Sequence, residues 1–233
     1  MTLLLDELDS LGLKDGGIYE PVETILINNL LKPDDVALDI GAHIGYFTIM
    51  MAKLCKKVIA FEPDKVNFSI LKENIKANNL ENVLAQNVVV GHRYGWAYLY
   101  FCNHNSGMHR IYHSILCTDN WVTVPMVPLD SIHHKIDFIK MDIEGSEFGA
   151  LRGMQSLLKT YHPKMIIEFY PLAIEEYGAD PKEVYDFLKG LDYDIKLIPK
   201  ISIPISYEEL DKETRDTNSG RNILCIRNEQ KLF

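Results

Sequence analysis

The run "KMDIEGSE", Lys140 to Glu147, closes an apolar β-type segment with charged side chains at alternate positions, Lys140, Asp142 and Glu144. Side chains alternate across a strand, so an extended chain puts all three on one side. Charges in such a place are costly to bury without partners or a task. One task is proton removal from an alcohol by Asp142, with Lys140 stabilising the alkoxide that develops. The structural alternative is a Lys140–Asp142 ion pair, with Glu144 and Glu147 capping and charging the start of the next helix.

A second chemical feature is "VALDIGAHIGYFT", where a β-branched run enters a turn with Gly41 and Gly45. A turn between a strand and a helix N-terminus is where nucleotide-binding folds hold their ligand. A pyrophosphate fingerprint would need glycine at His43 and Tyr46 as well, which disfavours a dinucleotide. Glu62 follows Gly41 by 21 residues, at the end of the next β-type run. A carboxylate there accepts from ribose hydroxyls and disfavours a 2′-phosphate. Asn87 and Val88, ending a third run, could meet an adenine edge. The ligand that remains is a nucleoside without pyrophosphate, and S-adenosylmethionine fits.

These residues need a scaffold. β-type runs at 36–40, 57–62, 83–88, 136–142, 164–170, 193–198 and 222–227 alternate with helix-period runs at 44–54, 64–78, 146–159 and 181–190. That alternation predicts an α/β domain, a mostly parallel sheet with helices on both faces. The last connection predicts a short helix or a long loop, which leaves an antiparallel final strand open. Residues 95–128 break the pattern with "WAYLYF" and "WVTVPMV" around a polar centre, and predict an inserted hairpin that shapes an acceptor pocket. Residues 1–33 are expected as a helical segment over the ligand mouth, with Tyr19 and Glu20 near the site. All 233 residues are expected to form a single domain.

The ordered motifs "LDIGAHIGYFT", "FEPD", "VPLDSI", "IDFIKMDIEGSEFGALRGM" and "KMIIEFYP" resemble those of the FkbM-type S-adenosylmethionine-dependent methyltransferases. The resemblance runs from about Tyr19 to Pro171. It implies a Rossmann-like class I fold with strand order 3-2-1-4-5-7-6, strand 7 antiparallel, and methyl transfer to a hydroxyl of a sugar or polyketide-like acceptor. Carried onto this sequence, Asp39, Gly41, Ala42, His43 and Gly45 would surround the methionine part of the cofactor, and Tyr46 and Phe47 the sulfonium. Glu62 with Pro63 would hold the ribose, Asn87 and Val88 the adenine, and Asp142 would touch both cofactor and acceptor. The alternatives are nitrogen or carboxylate methylation, or an adenosyl-binding protein without catalysis.

Three further groups have side chains that could carry chemistry. His109, with His104 and His113 in the insertion, is a candidate base; helical spacing of His109 and His113 would also suit zinc. Asp142 and Glu168 end adjacent strands and could favour magnesium or calcium, but two carboxylates do not make a coordination set. No metal is therefore assigned. Tyr185 and Lys189 imitate a dehydrogenase pair, on what reads as an ordinary amphipathic helix.

The formal net charge of −9 argues against nucleic acid and anionic membrane, and favours small-molecule or glycan acceptors. No basic leader precedes an apolar stretch, and the four cysteines form no Cys-x-x-Cys pair, so a reducing cytoplasmic location is expected.

Overall fold

The computed structural model describes residues 1–103, 105–215, 217 and 220–227. His104 lies outside them. Seven strands form the main sheet: β1 (Val36–Ile40), β2 (Lys57–Phe61), β3 (Val83–Gln86), β7 (Phe138–Met141), β8 (Lys164–Phe169), β9 (Tyr193–Leu197) and β10 (Arg221–Arg227). Their order is β3-β2-β1-β7-β8-β10-β9, with β10 antiparallel to both neighbours. This is the expected 3-2-1-4-5-7-6 topology.

The two pleat faces have different coverings. Ala37, Val58, Phe138 and Ile166 pack beneath α1 (Pro21–Leu30) and α2 (Tyr46–Ala52), and Ala60 beneath Leu71 of α3 (Lys65–Ala77). Leu38, Ile59, Ile139, Met165 and Ile167 pack on the other face, against α4 (Glu147–Arg152), α5 (Gln155–Tyr161), α6 (Pro171–Tyr177), α7 (Pro181–Lys189) and α8 (Tyr207–Arg215). Each large apolar side chain fully buried this way contributes roughly 1.5–3 kcal/mol.

Helix starts follow their side-chain chemistry in two cases. Asp64 accepts from the amides of Val66 and Asn67, and Asp180 from that of Lys182. Ser146 does not cap α4; its hydroxyl donates to the Ile143 carbonyl, and Glu147 Oε1 accepts from the amides of Ile143 and Gly145. The single helix expected over 146–159 is two, because the Gly153 carbonyl accepts from Leu129 and Asp130 instead.

The N-terminal segment is helical only over α1. Before it, Asp6 and Asp9 side chains capture the amides of Ser10, Leu13 and Lys14, and local side-chain bonds of this kind compete with a helix. The insertion is a hairpin as expected, β5 (Gly95–Tyr100) antiparallel to β6 (Trp121–Val127), with β4 (Val89–Val90) added parallel to β6. A 3₁₀ turn at Ser106–Met108 lies between the hairpin strands. No helix among the described residues is long and apolar enough to cross a membrane.

Candidate active site

One row of polar side chains crosses the sheet on the α1/α2 face. Asp39 is the cross-strand partner of Lys140, and Asn222 that of Glu168. Lys140 is 1% exposed; its Nζ is 3.2 Å from Asp142 Oδ2 and 3.4 Å from Asn222 Oδ1. Glu20 Oε2 lies 3.9 Å from the same nitrogen and has no hydrogen-bond partner among the described residues. Burial opposes the ammonium, but the charges of Asp142 and Glu20 outweigh it and hold Lys140 above its ordinary range. Its cation also sits 5.2 Å from the centre of the Phe47 ring.

The glycine turn lies at the end of this row. Gly41 and Gly45 take φ of 85° and 95°, accessible to glycine at little cost. A Cβ on Gly41 would stand 1.9 Å from the Asp142 carbonyl oxygen, so only a bare α-carbon lets the turn lie against the β7 loop. Asp39 accepts from the Thr48 hydroxyl of α2, and burial pushes its carboxyl up to about 6. Glu62 accepts from the backbone amides of His43 (2.8 Å) and Asp64 (2.9 Å). Burial raises it to about 8.

Two adjoining lobes open here, sharing Gly41, His43, Gly107, Asp142 and Glu144. One is lined by Glu62, Pro63, Asn67, Val88 and His109; the other by Tyr19, Asp39, Ala42, Tyr46, Phe47 and Lys140. Of the expected cofactor-side residues, all but Gly45 and Asn87 line one lobe or the other. Asn87 lines neither lobe, because both amide hydrogens go to the carbonyls of Glu62 and Pro63, leaving no donor for a base edge.

Three expectations at the fourth strand and in the insertion change. The chain is not extended to Glu144: β7 ends at Met141 and Glu144 takes φ 56°. Its carboxylate meets Arg110 at 3.4 Å instead, and burial raises it to about 8. His109 accepts a hydrogen bond from the Cys102 amide at 3.1 Å through Nδ1 and lies on the Glu62 side, outside the lobe that holds Lys140, which weakens it as a base. His109 and His113 share no helix, since Arg110 forms an extended bridge to Tyr100 and His113 faces solvent. No disulfide joins the four cysteines, all of them among the described residues; Cys102 and Cys117 of the insertion are in contact, 3.1 Å between sulfurs.

Several site residues had no local signal in the sequence. Arg110, 1% exposed, donates to Glu176 (2.7 Å) and Ser114 (2.9 Å) and ties the insertion to α6. Asp6, Ser10 and Ser106 form a hydrogen-bonded group at His43. Among the described residues, Asp142, Glu144 and Glu168 each bring an oxygen to within 4.8 Å of the others. Tyr185 bonds the Ile205 carbonyl and Lys189 pairs with Asp194, consistent with a packing helix.

The profile of the methyltransferase FkbM domain matches residues 39–195. The chain belongs to the FkbM methyltransferase family. Of solved structures similar to this FkbM-type chain, one is the methyltransferase FkbM from Methylobacillus flagellatus KT. It has TM-score 0.54 and 18% identity, over 82% of this chain and 43% of that one. Another, a putative methyltransferase from Streptococcus mutans in complex with SAH, has TM-score 0.54 and 14% identity over 90% and 99%. Both likenesses are likenesses of fold. Among curated relatives, a probable ribosomal RNA small subunit methyltransferase A from Methanosphaera stadtmanae is 44% identical over 59 residues. That match spans 25% of this FkbM-type chain and 22% of the relative.

Proposed function

We propose that this FkbM-type chain transfers a methyl group from S-adenosylmethionine to a hydroxyl oxygen of a small-molecule or glycan acceptor. The observation that carries the reading is the position of Lys140 and Asp142 beside the glycine turn, in the lobe that also holds Tyr19, Tyr46 and Phe47. The residues fit an adenosyl donor: the Gly41 turn borders both lobes beside Glu62, and His43 keeps a buried nitrogen, Nδ1, without a partner among the described residues. Glu62 would hold the ribose; Asp39, Gly41, Ala42, His43 and Gly45 would surround the methionine part. When bound, this donor supplies an electrophilic methyl on a sulfonium.

The chain's own part is alignment, charge and a proton. Lys140 stays an ammonium in its acidic surroundings, so it cannot be the base; it offers positive charge to an oxygen that is becoming an alkoxide. Asp142, 27% exposed and paired with that ammonium, is the carboxylate placed to take the hydroxyl proton. Alignment of acceptor and donor is worth up to about 7–11 kcal/mol. The hydroxyl preference follows from this ammonium, which suits an alkoxide better than an amine about to become cationic.

The relative named for ribosomal RNA bears on the acceptor class, because the net charge of −9 no longer argues alone against nucleic acid. The test is transfer from methyl-labelled S-adenosylmethionine to panels of alcohols, amines, carboxylic acids and RNA. Alkali-stable label on alcohols supports the reading. Label confined to amines, to RNA or to alkali-labile esters rejects the hydroxyl assignment, and no transfer with intact donor binding leaves an adenosyl-binding protein.

A further inference from the structure

We propose that Asp6 and Ser106 are positioning residues that hold His43 in its Nε2-protonated tautomer, so that Nδ1 accepts a hydroxyl or ammonium hydrogen of the bound adenosyl donor. The inference rests on the adenosyl-donor reading above. Its basis is a count of hydrogens. Ser10 Oγ donates to Asp6 Oδ2 at 2.7 Å, and Ser106 Oγ donates to the same oxygen at 3.0 Å. The Ser10 amide occupies Asp6 Oδ1, and the Ser106 amide donates to Ser10 Oγ, both at 3.0 Å.

His43 Nε2 lies 2.7 Å from Ser106 Oγ. A hydroxyl has one hydrogen, and the carboxylate has taken Ser106's, so the imidazole is the donor at this contact. In a neutral ring that leaves Nδ1 as a bare acceptor. Nδ1 is buried and has no partner among the described residues, and the His43 side chain borders both lobes. Buried acceptors are rarely left unmet, and a ligand with N–H and O–H groups would meet this one.

The charges around the group agree with this arrangement. Burial of His43 outweighs the attraction of Asp6, Asp142 and Asp64, and with His109 nearby the imidazole is pushed down to about 4. The ring is therefore neutral at physiological pH, and its unprotonated nitrogen offers a lone pair as a hydrogen-bond acceptor. Asp6 is 8% exposed; burial opposes its carboxylate, but the bonds from Ser10 and Ser106 hold it below its ordinary range. Two segments distant in sequence, the stretch before α1 that carries Asp6 and Ser10 and the insertion that carries Ser106, thus act on one nitrogen of the glycine turn.

Asp6→Asn tests this without changing shape. An amide nitrogen in place of Oδ2 donates to Ser106 Oγ, which frees the Ser106 hydroxyl to donate to Nε2 and moves the ring proton to Nδ1. Nitrogen NMR of imidazole-labelled full-length protein should find His43 protonated at Nε2. Adding S-adenosylhomocysteine should shift Nδ1 alone. Asp6→Asn should invert the tautomer and weaken S-adenosylhomocysteine about tenfold, with a larger effect on donor KM than on kcat. Ser106→Ala should lose the same affinity and Ser106→Thr should keep it. An unchanged tautomer and affinity in folded Asp6→Asn overturns the proposal, as does wild-type binding that leaves Nδ1 unmoved. Absence of S-adenosylhomocysteine binding to the wild type overturns the adenosyl reading and this inference with it.

Discussion

Lys140 Nζ stands 3.2 Å from Asp142 Oδ2 and is 1% exposed, so the candidate base and the candidate alkoxide partner are held to each other in the same lobe. Replacing either changes the chemistry more than the cavity. Asp142→Ala is expected to lower kcat by about 10²- to 10⁴-fold, the range of one general base, while S-adenosylhomocysteine affinity falls much less. Lys140→Met should lower kcat by about 10²- to 10³-fold, as loss of one oxyanion donor does. Steady-state kinetics beside calorimetry checks both. Equal losses in turnover and affinity would assign the pair to cofactor binding.

Arg110 is buried between Ser114, Glu144 and Glu176 and fastens the insertion. Arg110→Met leaves those carboxylates unpaired and should cost about 2–3 kcal/mol, because removing one member of a buried charged group exposes the cost of the others. Urea denaturation measures it, and protease cleavage within 95–128 should precede global unfolding. A variant as stable as the parent would show that the insertion is held by its hairpin alone.

Stability should depend on pH through the buried acids. Folded Glu62 and Glu144 titrate at about 8 and Glu20 at about 7, burial being the first cause in each, whereas unfolded they titrate near 4.5. With raised folded values, their contribution is fully present below about 4.5 and is lost as pH rises through 7 to 8. His43 has the opposite sign, but its effect ends near 6.5, where the unfolded imidazole is already neutral. Tm of the ligand-free protein should therefore fall from pH 6.5 to 8, and Glu62→Gln should flatten the slope. A Tm that rises across that interval would contradict these environments.

Exhaustive chelation should leave methyl transfer intact. Asp142, Glu144 and Glu168 converge, but Asp142 already faces the Lys140 ammonium and Glu144 the Arg110 guanidinium. A further cation would have to displace or crowd those partners. Activity lost on chelation and restored by magnesium would make the acidic trio a metal site and Lys140 an auxiliary.

The sheet was legible because its strands are short β-branched runs separated by helix-period segments with Asp64 and Asp180 at helix starts. The strand order came from the resemblance, since spacing does not say which strands are neighbours. Gly41, Glu62 and Lys140 stand out in the sequence because strand ends and a tight turn carry local signatures, whereas Asp39 entered only through the resemblance. Asp6, Ser10 and Ser106 could not: their partners lie up to 100 residues away, and an ordinary serine gives no sign of what it will meet. Glu144 and Asn87 went the other way. A residue with φ 56° leaves the strand, and an amide whose hydrogens hold the Glu62–Pro63 backbone has none left for a ligand.

The central claim is that the glycine turn and Glu62 hold an adenosyl donor, and calorimetric titration with S-adenosylhomocysteine, S-adenosylmethionine and NADH tests it most directly. The account predicts saturable binding of the first two at one site, loss of most affinity in Glu62→Ala, and no competition from NADH. Saturation by NADH with no heat from either adenosyl compound would contradict it.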